Sequence, residues 1–106
     1  MISNSMVDEL VKRGRDDFAN NSDLTDVVVR LSSPKDDREL RTAAVELLRA
    51  VLQRKLMEIG DLRKTGFVPW QLPTEDAIAR VEREWAALDR QPHIGELLWL
   101  RTTGNE

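Results

Sequence analysis

Cysteine is absent from this chain. Its absence excludes disulfide staples, thiolate chemistry and cysteine-based zinc sites, and it fits a cytoplasmic protein. Tyrosine is absent too, and histidine occurs once, as His93. A lone imidazole without thiols argues against a dedicated transition-metal site. After Pro92, in a turn, a solvated or hydrogen-bonded imidazole is the default, although histidine titrates near neutral pH. Long apolar runs are missing as well. Stretches such as Leu97-Leu98-Trp99-Leu100 stop at four residues, far short of the ~18 of a membrane span. The opening residues carry no basic segment followed by an apolar one, so no signal peptide is expected. There is no Gly-rich phosphate loop, nucleophile elbow, paired-histidine helix or calcium loop, and no internal repeat.

What is present suits a folded domain. The chain has 106 residues, 41% of them hydrophobic and 33% charged. One domain of this size buries about two thirds of the surface its unfolded form exposes, so residues 1–106 are read as a single domain. The formal net charge is -3. A mildly acidic chain is a poor general ligand for phosphate backbones but suits a basic protein partner.

Aromatic residues are few and unevenly placed. All three tryptophans and four of the five aromatics lie between Gly66 and Leu100. Because large aromatics dominate the burial energy of a small core, this segment is the expected C-terminal core. Trp85 falls on the helical stripe Ile78, Val81, Trp85, Leu88 and reads as core. Trp70, between Pro69 and Gln71, reads as a core lid or a contact residue, since tryptophan is enriched at binding hot spots.

The periodicities predict three or four helices. The first spans about Ser5 to Phe18 through Met6, Val7, Leu10, Val11, Gly14 and Phe18, with Ser5 as cap, Asp8 in a capping box and Asp8-Lys12 and Glu9-Arg13 as i,i+4 pairs. Gly14 weakens its middle or lets another element approach closely. Asn20-Asn21-Ser22 reads as a turn. Asp23 to Leu31 is ambiguous: Ser22 or Asp23 can cap a helix, whereas Val27-Val28-Val29 favours a strand; a short helix is preferred. Ser33 as cap and Pro34 at the first position predict a long helix to about Ile59, stopped by Gly60 as a left-handed cap. Asp61 to Pro73 is a connector holding a short strand at Phe67-Val68. Thr74 caps a helix running to Leu88, with Asp76-Arg80 and Arg80-Glu84 along its exposed side. Glu96 to Thr102 then reads as a buried strand, Leu97 and Trp99 on one side and Leu98 and Leu100 on the other. The fold expected is α+β and predominantly helical, with a small two-stranded β element near the C-terminus.

Paired carboxylates occur at Asp36-Asp37 and Glu75-Asp76, but both pairs sit where a helix N-terminus favours negative charge, so a structural role outweighs an acid–base one. A small enzyme is the third-ranked reading. The segment from Asp23 through Ser32-Ser33-Pro34 into the next helix has the outline of a helix-turn-helix, with Lys35, Arg38 and Arg41 on the second helix. The acids Asp36, Asp37, Glu39 and Glu46 interleaved there oppose a groove-entering role.

The residues Gly60-Asp61-Leu62, Gly66-Phe67-Val68-Pro69-Trp70, Glu84-Trp85 with Leu88 and Arg90-Gln91-Pro92, and Gly95-Glu96-Leu97-Leu98-Trp99 make the C-terminal half resemble small bacterial proteins, some of them immunity-protein-like. These are mainly turn and core residues, so the resemblance implies a shared fold more than a shared activity, and it implies no catalytic residue. The expectation is a protein-binding module, in its concrete form an immunity protein that occludes a basic toxin. Asp61, Trp70, Glu75 and Asp76 are its candidate contacts. No cofactor or membrane is called for, a homodimer is compatible, and a helix-turn-helix or winged-helix-like DNA-binding protein is the runner-up.

Overall fold

The computed structural model describes residues 2–104. The elements in chain order are α1 (Asn4–Asp16), β1 (Ala19–Asn20), α2 (Asn21–Ser32), α3 (Asp37–Gln53), β2 (Met57–Arg63), β3 (Gly66–Pro69), α4 (Thr74–Ala86) and β4 (Trp99–Thr102). The fold is α+β and mostly helical, as expected, but its sheet has four strands in the order β1-β4-β2-β3, all antiparallel. Phe67-Val68 does form a strand. Its partner is β2, which lies between it and β4, so the two expected strands never meet.

Burial alternates along the strands. Met57, Ile59 and Leu100 are buried, while Glu58, Trp99 and Arg101, one residue out of phase, are half-exposed. One face of the sheet is therefore packed against helices and the other is open. On the packed side Gly14 lets α1 lie close: a Cβ there would stand 2.7 Å from Thr102 Oγ1, and that hydroxyl donates to the Val11 carbonyl at 2.7 Å. Leu10, Val28, Leu47, Leu48, Val51, Ile78 and Trp85 fill the shared core.

Local chemistry set several boundaries that pattern alone misplaced. α1 is capped by Ser3, whose Oγ accepts from the Met6 N–H, and it ends at Asp16 rather than Phe18. Asn20 is not a turn residue but the last residue of β1 and the cap of α2. Its Oδ1 accepts from the Ser22 N–H, and the Asp23 carboxylate accepts from the Asn20 N–H. The β-branched run Val27–Val29 is helical because burying Val27 and Val28 completely outweighs their weak intrinsic preference for strand.

Ser33 does not start the long helix. It closes α2 in a left-handed conformation, φ 49°, and Asp36 caps α3 by accepting from the Glu39 N–H at 2.8 Å. Nor does that helix reach Ile59. Lys55 takes φ 58°, its N–H donates to the Leu52 carbonyl, and the Leu56 N–H donates to the Val51 carbonyl. These two bonds form a Schellman closure with a lysine where glycine is usual. Gly60 is accordingly a strand residue and no cap. Thr74 is the first residue of α4, and its N-cap is Pro73, without a side-chain bond. Leu97 and Leu98 are both buried just before β4 begins, so the expected alternation starts only at Trp99.

Candidate functional site

The four residues expected at a contact surface separate into two places. Asp61 on β2 and Trp70 after β3 come together: Trp70 Nε1–H donates to Asp61 Oδ1 at 3.1 Å. The Arg80 guanidinium lies 3.8 Å from the Trp70 ring centroid, and Arg80 Nε pairs with Glu84 at 3.0 Å. A carboxylate, an indole, a guanidinium and a second carboxylate thus form one continuous chain joining the β2–β3 hairpin to α4. Each member already has its partner, and Trp70 packs half-buried against the core. Of the two anticipated pairs along this side of α4, Arg80-Glu84 forms and Asp76-Arg80 does not.

Glu75 lies on the opposite flank of α4. Seven residues separate it from Glu82, which places both on the side facing α3, while Arg80 and Glu84 face the hairpin. Glu75 accepts from Arg49 Nε at 2.9 Å and from Arg49 Nη2 at 3.2 Å, a forked pair of the strong kind. The Glu75 hydrogen bond raises the Arg49 pKa, partial desolvation opposes the rise, and the charges of Glu75, Glu82 and Glu46 add to it. Glu75 touches the guanidinium, and Glu82 and Glu46 act on it through their charge. The Glu75 side chain keeps 62% of its surface exposed, and Asp76 beside it is exposed as well.

The open sheet face carries a cluster that pattern reading missed. Phe18 and Phe67 stack with centroids 5.8 Å apart and planes 4° from parallel. Arg101 sits 4.6 Å from the Phe67 ring and pairs with Glu58 across β2 and β4 at 2.8 Å. Gly60 makes this possible, since a Cβ there would lie 2.9 Å from Phe67 Cζ. The two phenylalanines are 49 positions apart in the chain, and only the sheet order brings them together. The one local clue was a glycine opposite Pro69 and diagonal to an aromatic residue.

His93 is exposed and bonds through its backbone, its N–H to Glu96 and its carbonyl to Asn21. Among the described residues no group of three or more His, Cys, Asp or Glu side chains could hold a metal ion, and no buried side-chain polar atom lacks a partner. No helix among them is long and apolar enough to cross a membrane. In the α2–α3 segment, Arg41 lies over the Trp85 ring at 5.2 Å. Asp36, Arg38, Glu39 and Glu46 line a notch of about 420 Å³ on the exposed side of the turn. A recognition helix arranged this way would meet phosphate with carboxylates. Comparison with known proteins found no match to a family model, to a curated protein or to a solved structure.

Proposed function

We propose that the chain is a protein-binding module whose α3–α4 surface receives a basic protein, and that in its narrower form it is a cytoplasmic immunity protein neutralising a toxin by occlusion. One observation carries the reading: Glu75 grips Arg49 in a forked pair while the charges of Glu82 and Glu46 act on the same guanidinium, and the Glu75 side chain stays 62% exposed, so carboxylates remain presented on the α3–α4 surface. Such a surface raises the encounter rate with a cationic partner and specifies its orientation more than it adds affinity. Trp70 and Asp61 serve it indirectly, by fixing α4 against the hairpin.

The test is capture of the product of an adjacent gene, with rescue of cells from that product's toxicity as the functional readout. Substituting Glu75→Lys together with Glu82→Lys is expected to slow association on the order of tenfold at low salt and to change dissociation little. Absence of both complex and rescue removes the proposal. An association rate indifferent to these charges and to salt removes its electrostatic basis.

A further inference from the structure

We infer that the open face of the sheet is a self-complementary surface that docks against the same face of a second copy of this chain. On that face the strands place one acid and one base, Glu58 and Arg101, in directly paired positions of β2 and β4. Their side chains are each 43% exposed, so neither is committed to the interior. Around them lie Phe18, Phe67, Leu62 and Trp99, partly exposed and apolar. Gly60, between Trp99 and Pro69 in the register, lets the Phe67 ring lie across the centre.

A two-fold contact pairs residue i of one copy with residue j of the other and j with i, and an axis parallel to the strands, between β2 and β4, relates Glu58 and Arg101 in this way. Here it sets Glu58 against the partner's Arg101 and Arg101 against the partner's Glu58. The two pairs become a four-charge network with no unmatched charge enclosed by aromatic rings, and packed sheet faces supply the geometry. A strongly basic partner would instead compete with Arg101 for Glu58 on this face. The whole chain carries a net charge of -3, so two copies repel generally, and a neutral apolar face is where like molecules can meet. This surface is separate from the α3–α4 carboxylates, and the inference does not depend on them.

Sedimentation equilibrium from micromolar to millimolar concentration is the experiment, on the full chain. The wild type is expected to pass from its monomer mass of 12.2 kDa to twice that mass. Glu58→Arg alone places two cations opposite two cations, and Arg101→Glu alone places two anions opposite two anions. Each is expected to weaken self-association on the order of a hundredfold. Mixed in equal amounts, the two variants are complementary and should form a mixed dimer at about wild-type affinity. Circular dichroism and thermal melting confirm that each variant folds. A wild type that stays monomeric at millimolar concentration overturns the inference. So does a dimer that survives either single substitution, or a mixture that fails to associate. The Glu75→Lys, Glu82→Lys chain should dimerise like the wild type, so failure of the partner reading and failure of this one are told apart.

Discussion

Replacing Asn21 should unlatch the segment that leads into β4. Asn21 is 1% exposed, and both ends of its amide are used. Oδ1 accepts from the Leu97 N–H at 3.1 Å, and Nδ2 donates to the His93 carbonyl at 2.9 Å. Asn21→Ala leaves the Leu97 N–H buried without an acceptor, a loss of about 1–3 kcal/mol. The His93 carbonyl lies near solvent and can turn to water, which adds roughly 0.5–1 kcal/mol. A total near 2–3 kcal/mol corresponds to a melting temperature lower by roughly 10–20 °C in a domain of this size.

Asn21→Asp sharpens the test. As a neutral acid it can still accept from Leu97 and donate to His93; as a carboxylate it sets an anion against a carbonyl oxygen. Burial raises the folded-state pKa of such a group. Relative to wild type, its stability should therefore be greatest below the pKa of the unfolded chain and fall as pH rises through the folded value. Urea unfolding at pH 7 and pH 5 measures both variants, and hydrogen exchange at the Leu97 amide reports the site directly. A loss under about 0.5 kcal/mol for Asn21→Ala, or unchanged Leu97 protection, refutes the reasoning.

Three further outcomes are expected. Gly60→Ala forces a methyl group to within 2.9 Å of both Phe67 Cζ and Pro69 Cα and against the Val68 carbonyl; two of these three contacts are backbone, so urea denaturation should show a loss of about 1–3 kcal/mol. The Glu96 carboxyl, held by Arg90 and by the His93 N–H, has its pKa lowered from 4.5 to about 2. Its contribution to the loop is present above 4.5 and lost as pH falls towards 2; an NMR titration should place the midpoint near 2, and Arg90→Ala should raise it. Trp70→Phe removes the hydrogen bond to Asp61 but keeps a ring for Arg80, costing about 1 kcal/mol, whereas Trp70→Ala should cost more by the same denaturation assay.

The helical stripes were legible because their signal is local. Ile78, Val81 and Trp85 are buried as their spacing predicts. The boundaries that slipped depended on residues doing work that others usually do. Lys55 occupies a left-handed position normally given to glycine, so the eye runs on to Gly60 and reads strand β2 as helix. Ser33, with Pro34 behind it, looks like a start and is used as an end. The sheet was half visible because β1 has two residues, too few for any alternation, and pairs with a strand 79 positions away. For the candidate site, nearness in sequence grouped Asp61, Glu75 and Asp76 with Trp70, and of these Asp61 bonds the indole while Glu75 bonds Arg49. Only the rotation of α4 decides that Glu75 and Trp70 lie on opposite flanks.

The edges of the sheet bear on how this molecule can associate at all. A sheet invites partners along its edges unless they are blunted. One edge here is the two-residue β1, followed at once by α2. The other is β3, four residues long and ending in Pro69, which has no N–H to offer. Neither edge can template an added strand of useful length. Association through the sheet is thereby directed to its open face, where side chains set the specificity. On that face Arg101 bonds Glu58 and lies over Phe67 together, so changing it alters charge and aromatic packing at once. Changing Glu58 alters charge directly and reaches the ring packing only through Arg101. If the face binds chiefly through its rings, Arg101→Glu should weaken association more than Glu58→Arg; if charge dominates, the two should match. The ratio of the two dissociation constants separates the contributions that a single substitution would merge.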